Sequence, residues 1–272
     1  MAVDFVLGDG LLCPLVLVRE SFCTQVLNGG GVGWNWEMWW TYDGISGPEF
    51  WGVINPAWGM CSDGRRQSPI NLDPRTILHD PNLTPLTMDK HKVSGRLQNT
   101  GHGLEWWVVE PEGRIHMSGG PLSYSYALSH LRLHFGERDA QGSEHTIANH
   151  AFPAEVQVYG YNDVLYGNFS QAATQVHGVV AIAVLIQLGD RTSPALESFL
   201  KGMKEVQHGG SSTIVNHLSP HELVSSTSQY LTYEGSLTEP GCHETVTWII
   251  PNKPLYVSFT QMRLLRGMRQ GS

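Results

Sequence analysis

The stretch SHLRLHFG, residues 129–136, alternates apolar and polar side chains in the way that a half-buried β-strand does. One face is leucine and phenylalanine, and the other carries imidazoles and a guanidinium (Leu131, Leu133, Phe135; His130, Arg132, His134). The run AEVQVYGYN (154–162) repeats the pattern, with a polar face of Glu155, Gln157 and Tyr159. Two such strands side by side predict a cleft that resembles a metal site. Its central arginine is out of place there, because a guanidinium is never a ligand.

Composition describes an ordinary globular protein and excludes several functions. The chain has 272 residues, enough for one large domain or two small ones, and a net charge of −8. The negative charge, with no basic run, argues against a nucleic-acid partner. No apolar run approaches the length of a membrane span. The four cysteines form no closely spaced CxxC pair, so a cysteine zinc site and thioredoxin-like chemistry are poor interpretations.

The first part of the chain differs from the rest. Residues 1–38 are glycine-rich and irregular, which predicts a leader or a disordered arm, and 39–272 form the predicted domain. The run LLCPLVLV (11–18) is short and lacks a preceding basic residue, so it is a weak signal peptide. Sequons at Asn82 and Asn168 are compatible with secretion, and Asn168 is the stronger candidate because Pro85 follows the Asn82 sequon.

The remaining patterns predict a mainly β fold of the α+β class. Strand-like runs recur along the chain (GRLQN, 95–99; LEWWVVE, 104–110; GVVAIAVLIQLG, 178–189; TVTWII, 245–250; LYVSF, 255–259). The apolar run at 179–188 predicts a central strand that is covered on both faces. Helix signals are few: Ser193 and Pro194 open one at SPALESFLKGMKEV, and TQMRLLRGM (260–268) is a second. The sum is a single domain around a large, mostly antiparallel sheet with a few short peripheral helices.

Nine segments in order resemble the α-class carbonic anhydrases, over a match from about Trp40 to Met268. They are GPEFWG (47–52), RRQSPINL (65–72), NTGHGL (99–104), SGGPL (118–122), LRLHFG (131–136), GSEHTI (142–147), AEVQV (154–158), YEGSLTEPGC (233–242) and TVTWII (245–250). The resemblance implies a twisted, mainly antiparallel sheet of ten strands. It also implies a conical cleft in which active members of the family hold zinc on three histidines.

The resemblance places those three zinc ligands at Arg132, His134 and Gln157, so only one histidine is left. A catalytic zinc site needs three protein ligands and an open position for water. Glutamine offers a neutral amide oxygen in place of imidazole, and arginine offers a permanent positive charge. We therefore expect no cofactor, and zinc only if the chain retains the metal by a substitute geometry.

Other positions in the cleft are also implied by the resemblance. Glu155 is the carboxylate behind the ligands, Thr238 the gatekeeping hydroxyl, Glu144 the carboxylate that orients it, and His102 the proton shuttle. The walls of the cleft are Tyr159, Leu237, Glu239 and Trp248. Two of these depart from the family: Tyr159 replaces a small aliphatic residue of the carbon dioxide pocket, and Glu239 replaces a small hydroxyl residue and would repel bicarbonate. His102 is then a loop residue without a zinc-bound water to serve.

The buried charge of Arg132 must be paired. We expect Glu155 or Glu144 to pair with it, and the amide oxygen of Gln157 to accept from it. The competing interpretation, in which the two glutamates are a general acid and base, is the less favoured one.

Arginine and glutamine at the first and third ligand positions resemble one branch of the family, the carbonic anhydrase-related proteins ten and eleven. That resemblance implies a secreted, catalytically silent protein with an extracellular partner, a cell-surface receptor of the neurexin type, and a disulfide between Cys61 and Cys242. The alternative is a zinc-dependent carbonic anhydrase or a weak esterase. The family's C-terminal Asn-x-Arg-Pro-x-Gln pattern is not present in this sequence, so we expect the domain to lack that segment.

Overall fold

The computed structural model describes residues 6–7, 11–12, 39–109, 113–224 and 227–268. The chain divides into two compact units, Met1–Met38 and Trp39–Ser272. In the first unit the described residues are a small antiparallel ribbon of β1 (Val6–Leu7) and β2 (Leu11–Leu12). The predicted leader or disordered arm otherwise lies outside the described residues.

The second unit is built on strands, and its helices are short. Its strands are β3 (Asn71–Leu72), β4 (Leu86–Met88), β5 (Val93–Asn99), β6 (Leu104–Val108), β7 (His116–Gly119), β8 (Tyr126–Phe135), β9 (Thr146–Ile147), β10 (Ala154–Tyr161), β11 (Val179–Gly189), β12 (Ser212–Leu218), β13 (Tyr230–Gly235), β14 (Val246–Pro251) and β15 (Leu255–Ser258). Its α-helices are α1 (Trp51–Ile54), α2 (Met60–Asp63), α3 (Phe169–Ala172), α4 (Pro194–Phe199), α5 (Pro220–Leu223) and α6 (Phe259–Arg266). Four 3-10 turns accompany them (Gly44–Ser46, Pro48–Phe50, Pro56–Trp58, Leu200–Glu205).

Eleven of the described strands form one large sheet, which confirms the predicted fold class. Its main path runs β12-β5-β6-β8-β10-β11-β14-β13, with β15 beside β11, β7 beside β8 and β4 beside β7. The pairs in it are antiparallel except for β11 with β14 and β11 with β15. The resemblance implies ten strands, and the short strands β4, β7 and β15 off the main path bring the described number to eleven.

Strand β11 is the centre of the fold, as its apolar sequence predicts. Alternate side chains enter two different cores, because successive residues of a strand point to opposite faces. One face joins the larger core (Val180, Ile182, Val184, Ile186) and the other joins a smaller aromatic one (Val179, Ala181, Ala183, Leu185). The larger core also takes Leu131 and Leu133 from β8 and Val156 and Val158 from β10, so the polar faces of those strands lie on the other side.

The helix predicted at Ser193 forms, with two corrections. The α-helical part ends at Phe199 and continues as a 3-10 turn over Leu200–Glu205. This turn lies close to β12: a Cβ on Gly202 would come within 2.7 Å of Thr213 Cγ2, so only glycine fits. The Ser193 hydroxyl does not cap the helix, because it accepts a hydrogen bond from the backbone N–H of Tyr256 instead. The second predicted helix is α6.

The predicted disulfide is confirmed. Cys61 in α2 is bonded to Cys242, at a sequence separation of 181. The bond lies in a third apolar cluster with Trp51 and Trp58, which fixes the segment before β3 to the loop after β13.

We predict that replacing both half-cystines, Cys61→Ser with Cys242→Ser, lowers the free energy of unfolding. In the chain-entropy model a loop of this length contributes about 5 kcal/mol, which is an upper figure. Urea denaturation of both proteins, with and without reductant, measures the difference. Reductant should lower the stability of the unmodified protein and leave the variant unchanged. Equal stability of the two oxidised proteins would contradict the prediction.

Candidate active-site cleft

The alternating strands β8 and β10 are neighbours, as their sequences predict. They pair antiparallel, with Arg132 opposite Gln157 and His134 opposite Glu155. On the other side of β8, strand β6 places Glu105 opposite Arg132. Since residues that are paired across strands point to the same face, these polar side chains share one side of the sheet. The three positions implied as zinc ligands are therefore brought together.

Arg132 occupies the centre of this polar face and is paired with two carboxylates. Its Nε donates to Glu105 Oε1 at 3.0 Å, and its Nη2 donates to Glu239 Oε2 at 2.8 Å. The arginine side chain is 8% exposed, so both ion pairs are largely shielded from water. Burial alone would lower the pKa of the guanidinium, but the charges of Glu239 and Glu105 outweigh burial and raise that pKa. Arg132 is therefore a fixed cation.

The expected partners of Arg132 were wrong. Neither Glu144 nor Glu155 holds the guanidinium, because both carboxylates accept hydrogen bonds from the amide of Gln157, at 2.6 and 2.8 Å. The amide oxygen of Gln157 does not accept from Arg132 either. It accepts from the Tyr159 hydroxyl at 2.7 Å and lies 3.1 Å from His134 Nε2.

These contacts determine that Nε2 of the His134 ring carries a proton. The Gln157 amide donates both of its N–H groups to carboxylates, so its oxygen is oriented toward the histidine. A carbonyl oxygen is only an acceptor, so the hydrogen bond requires a proton on His134 Nε2. That nitrogen then has no lone pair for a metal. The single remaining histidine is thus a hydrogen-bond donor.

Behind Gln157 lies a buried ion-paired network. Glu155 accepts from the backbone N–H of His145 and from its Nδ1, both at 2.9 Å, and the two side chains are fully buried. His145 Nε2 lies 2.8 Å from the Tyr233 hydroxyl, which donates its own proton to Ser68. The His145 ring thus bridges the Glu155 carboxylate and the Tyr233 hydroxyl. Burial lowers the pKa of His145, but Glu155 outweighs burial and raises it.

Comparison with known proteins identifies the family to which the chain belongs. The model of the eukaryotic-type carbonic anhydrase family matches residues 46–272. The chain belongs to this family. A curated protein of Caenorhabditis elegans named "Putative carbonic anhydrase-like protein 2" is 39% identical over 234 residues, which cover 84% of this chain and 69% of that protein.

The remaining carbonic anhydrase positions lie around the cleft, with altered partners. His102 is half-buried and stacks on Trp40, with ring centroids 3.8 Å apart. Burial of the His102 ring lowers its pKa. Glu144, implied as the partner of Thr238, accepts from Gln157 and lies 3.5 Å from His134 Nδ1.

Tyr159 fills the wall of the cleft where the family has a small aliphatic residue. Its buried ring is stacked on His130, with centroids 4.7 Å apart, and lies edge-on to Trp248 at 6.0 Å. Trp107 stacks on the other face of His130. Burial raises the pKa of the Tyr159 hydroxyl, and the charge of Arg132 opposes this rise. Leu237 is also buried, in the same aromatic core as Tyr159.

The donor set does not fit the zinc ion that the carbonic anhydrase family uses. Within the described ranges, no group of three or more His, Cys, Asp or Glu side chains is placed to hold a metal ion. The cleft offers a protonated nitrogen of His134, an amide oxygen that already has two partners, and the guanidinium of Arg132. A zinc site needs three lone pairs directed at one point. No reaction step can be assigned to a metal here.

Two small cavities remain in the cleft, and Tyr42 lines both of them. One has a volume of about 60 Å³ beside Arg132, His134 and His102, and the other has about 160 Å³ beside Glu144 and Thr238. The Tyr42 hydroxyl donates to the backbone oxygen of Thr238, and its ring lies edge-on to His134. Aromatic side chains that precede β3 thus narrow the cleft.

The sequence did not lead us to predict that Glu105, Trp40 and Tyr42 lie in the cleft. A signal for Glu105 was present, because it alternates with Leu104 and Trp106, which point into the larger core. No comparable signal was available for Trp40 and Tyr42, which reach the cleft from an irregular segment. Within the described part of the chain, no helix is long and apolar enough to cross a membrane.

We predict that the Glu155–His145 pair makes stability depend on pH. The pKa of Glu155 falls from 4.5 to about 2, since burial raises it but the charge and hydrogen bond of His145 lower it more. A carboxyl group with a depressed pKa stabilises the fold above its unfolded pKa. This stabilisation is therefore complete above about pH 4.5 and is lost as the pH falls toward 2. The stabilisation from the ion pair is also lost at higher pH, as His145 loses its proton when the pH rises through its raised pKa.

Urea denaturation across this acid range, on the unmodified protein and on Glu155→Gln, measures the effect. The variant should be less stable at neutral pH, and its stability should fall less steeply in acid. Glu49→Gln, at an exposed carboxylate, is the matched control and should follow the unmodified protein. A slope in Glu155→Gln that equals that of the unmodified protein would contradict the assignment.

Proposed function

We propose that this carbonic anhydrase family member is catalytically silent and acts outside the cell as a binding protein. The observation that carries the proposal is the ion-pair triad of Arg132 with Glu105 and Glu239, built on one of the three ligand positions that the resemblance implies. The triad puts a permanent cation where a zinc ligand would be needed. It also leaves His134 as a donor to Gln157.

Electrostatics give the size of the obstacle to a metal. A unit charge about 4 Å from another is repelled by about 4 kcal/mol at an effective dielectric of 20, and a dication by twice that. Water that is not bound to a metal keeps a pKa far above the value of about 7 that zinc gives it, so hydroxide is scarce at neutral pH. The nucleophile of the family's reaction is missing. Tyr159 and Glu239 add steric and charge barriers to carbon dioxide and bicarbonate.

Two observations support a binding role outside the cell. The Cys61–Cys242 disulfide is of a kind that persists in oxidising compartments such as the secretory pathway. The fold is retained around a cleft that has lost its metal ligands, so the outer surface is what the chain offers to other molecules. The partner that the family resemblance favours is a cell-surface protein, a receptor of the neurexin type.

The second candidate is a zinc-dependent carbonic anhydrase or weak esterase that holds metal by a substitute geometry. The observation in its favour is the network behind the ligands, since Glu155, His145 and Tyr233 are all hydrogen-bonded in place. Such support orients metal ligands in zinc enzymes. Here it orients an amide and not an imidazole, which is why we favour the silent protein.

We predict that the unmodified protein binds no stoichiometric zinc and does not hydrate carbon dioxide above background. The double variant Arg132→His with Gln157→His should bind one zinc per chain, because it restores three imidazoles beside an intact Glu155. Mass spectrometry of the native protein measures the zinc, and a stopped-flow indicator assay measures hydration. Activity should lag behind metal binding in the double variant, since Tyr159 and Glu239 remain.

The single variants are the matched controls for the double. Arg132→His alone leaves an amide as third ligand, and Gln157→His alone leaves the repelling guanidinium. Both should bind much less zinc than the double. Stoichiometric zinc in the unmodified protein would overturn the proposal, and a folded double variant without zinc would show that the site is misplaced.

We predict that secreted protein carries an N-glycan at Asn168. This side chain is exposed at the start of α3, where its Oδ1 accepts from the backbone N–H of Gln171. Expression in a secreting eukaryotic cell, followed by glycosidase digestion, should shift the mobility of the protein. Asn168→Gln should abolish most of the shift, while Asn82→Gln, at the less favoured sequon, should leave it. Secreted protein without any shift would contradict the glycan and weaken the assigned compartment.

A further inference from the structure

Four exposed apolar side chains lie close together in the segment that precedes β3. Ile45 and Val53 are 81% and 79% exposed, and Phe50 and Met60 are also exposed. We call these four residues the 45–60 surface. Single exposed apolar residues are ordinary, but several in contacting elements mark a site of interaction.

The helical elements that carry the four side chains pack against one another in one layer. Pro48–Phe50 and α1 form a continuous helical run, in which Phe50 and Val53 are three positions apart and share a face. The turn Gly44–Ser46, which carries Ile45, contacts Pro48–Phe50, and α2, which carries Met60, contacts both Pro48–Phe50 and α1. The layer is therefore connected.

The base beneath this layer is rigid. Trp51 points inward, is almost fully buried, and donates from its Nε1 to the backbone oxygens of Thr41 and Ser46. The Cys61–Cys242 disulfide and Trp58 complete the buried cluster. A preformed surface of this kind loses little conformational entropy when it binds a partner.

Charge indicates what the partner carries. Residues 39–63 contain three carboxylates, all exposed, and no Lys, Arg or His (Asp43, Glu49, Asp63). Of the two arginines that follow, Arg66 lies 3.7 Å from the carboxylate of Glu244. The whole chain has a net charge of −8. An apolar patch among exposed carboxylates is complementary to a segment with apolar anchors and basic side chains.

We infer that the 45–60 surface is the docking site for a basic, amphipathic segment of a partner protein. The apolar side chains of that segment would cover Ile45, Phe50, Val53 and Met60, and its lysine or arginine side chains would meet Glu49 and its neighbours. The inference rests on the proposed binding function, and it names the face and the chemistry of the partner.

A synthetic amphipathic helical peptide of leucine and lysine is the probe for this chemistry. The unmodified full chain should bind it, weakly at high salt, and should not bind the leucine–glutamate counterpart. Ile45→Ser with Val53→Ser should weaken binding about tenfold, as expected when two apolar anchors are lost. Glu49→Gln should weaken it less.

The matched control is Val164→Ser with Val176→Ser, which removes two exposed apolar side chains elsewhere, at 64% and 72% exposure, and keeps the net charge. It should bind the peptide like the unmodified protein. An equal loss in both double variants, or equal binding of the leucine–glutamate peptide, would overturn the inference. Melting temperatures of both variants report whether either substitution disturbs the fold.

Oxidative footprinting of the free full chain tests the other possible occupants. Met60 should be oxidised readily, unlike the buried Met262, and should be protected on addition of the leucine–lysine peptide. Protection of Met60 in dilute free protein would mean that residues 1–38 cover the surface, and protection only in concentrated protein would mean that a second copy does. Either result overturns the assignment to a partner. Zinc content is measured separately. A result that overturns the proposed catalytic silence is therefore distinguishable from a result that overturns the docking site.

Discussion

A buried guanidinium is stable only where carboxylates surround it, and this requirement organises the cleft. Arg132 takes Glu105 from the neighbouring strand and Glu239 from the loop after β13, so three parts of the chain meet at one cation. Removing one partner of such a group leaves an uncompensated charge, which is costly in a shielded site. The arginine and its two glutamates are therefore interdependent. The electrostatic potential in a cleft that contains these three side chains differs from that in a cleft that holds a dication.

The rest of the cleft accommodates this change without a change of fold. Gln157 connects the two halves: it donates to Glu144 and Glu155, and it accepts from Tyr159 and His134. All the hydrogen-bonding capacity of the amide is satisfied, which a buried polar group requires. The scaffold that would support a metal ligand now supports an amide. The scaffold is retained with glutamine at this position because the network needs a donor there, and glutamine supplies two.

Alternation of side chains predicted the strands and their faces, and the resemblance to the family brought Arg132 and Gln157 together. Neither was enough to predict the partners of Arg132. Glu105 comes from a strand whose register against β8 depends on long-range pairing, and Glu239 comes from a loop whose path no local pattern specifies. Glu144 and Glu155 were plausible partners because they lie near in the family's cleft, but Gln157 competes for both of them. Which donor each carboxylate accepts from depends on the three-dimensional positions of the competing side chains.

The scaffold is retained while the side chains of the cleft are altered, and our proposal therefore assigns partner binding to the outer surface and not to the cleft. The cavities of about 60 and 160 Å³ in the cleft are small, and Tyr42 narrows both. Ligand pockets for small molecules are typically about 300–1,000 Å³, so neither cavity is of that kind. The segment that carries Tyr42 into the cleft also carries Ile45 and Val53 outward, above the buried Trp51. One anchored segment therefore narrows the old site on its inner side and presents apolar side chains on its outer side.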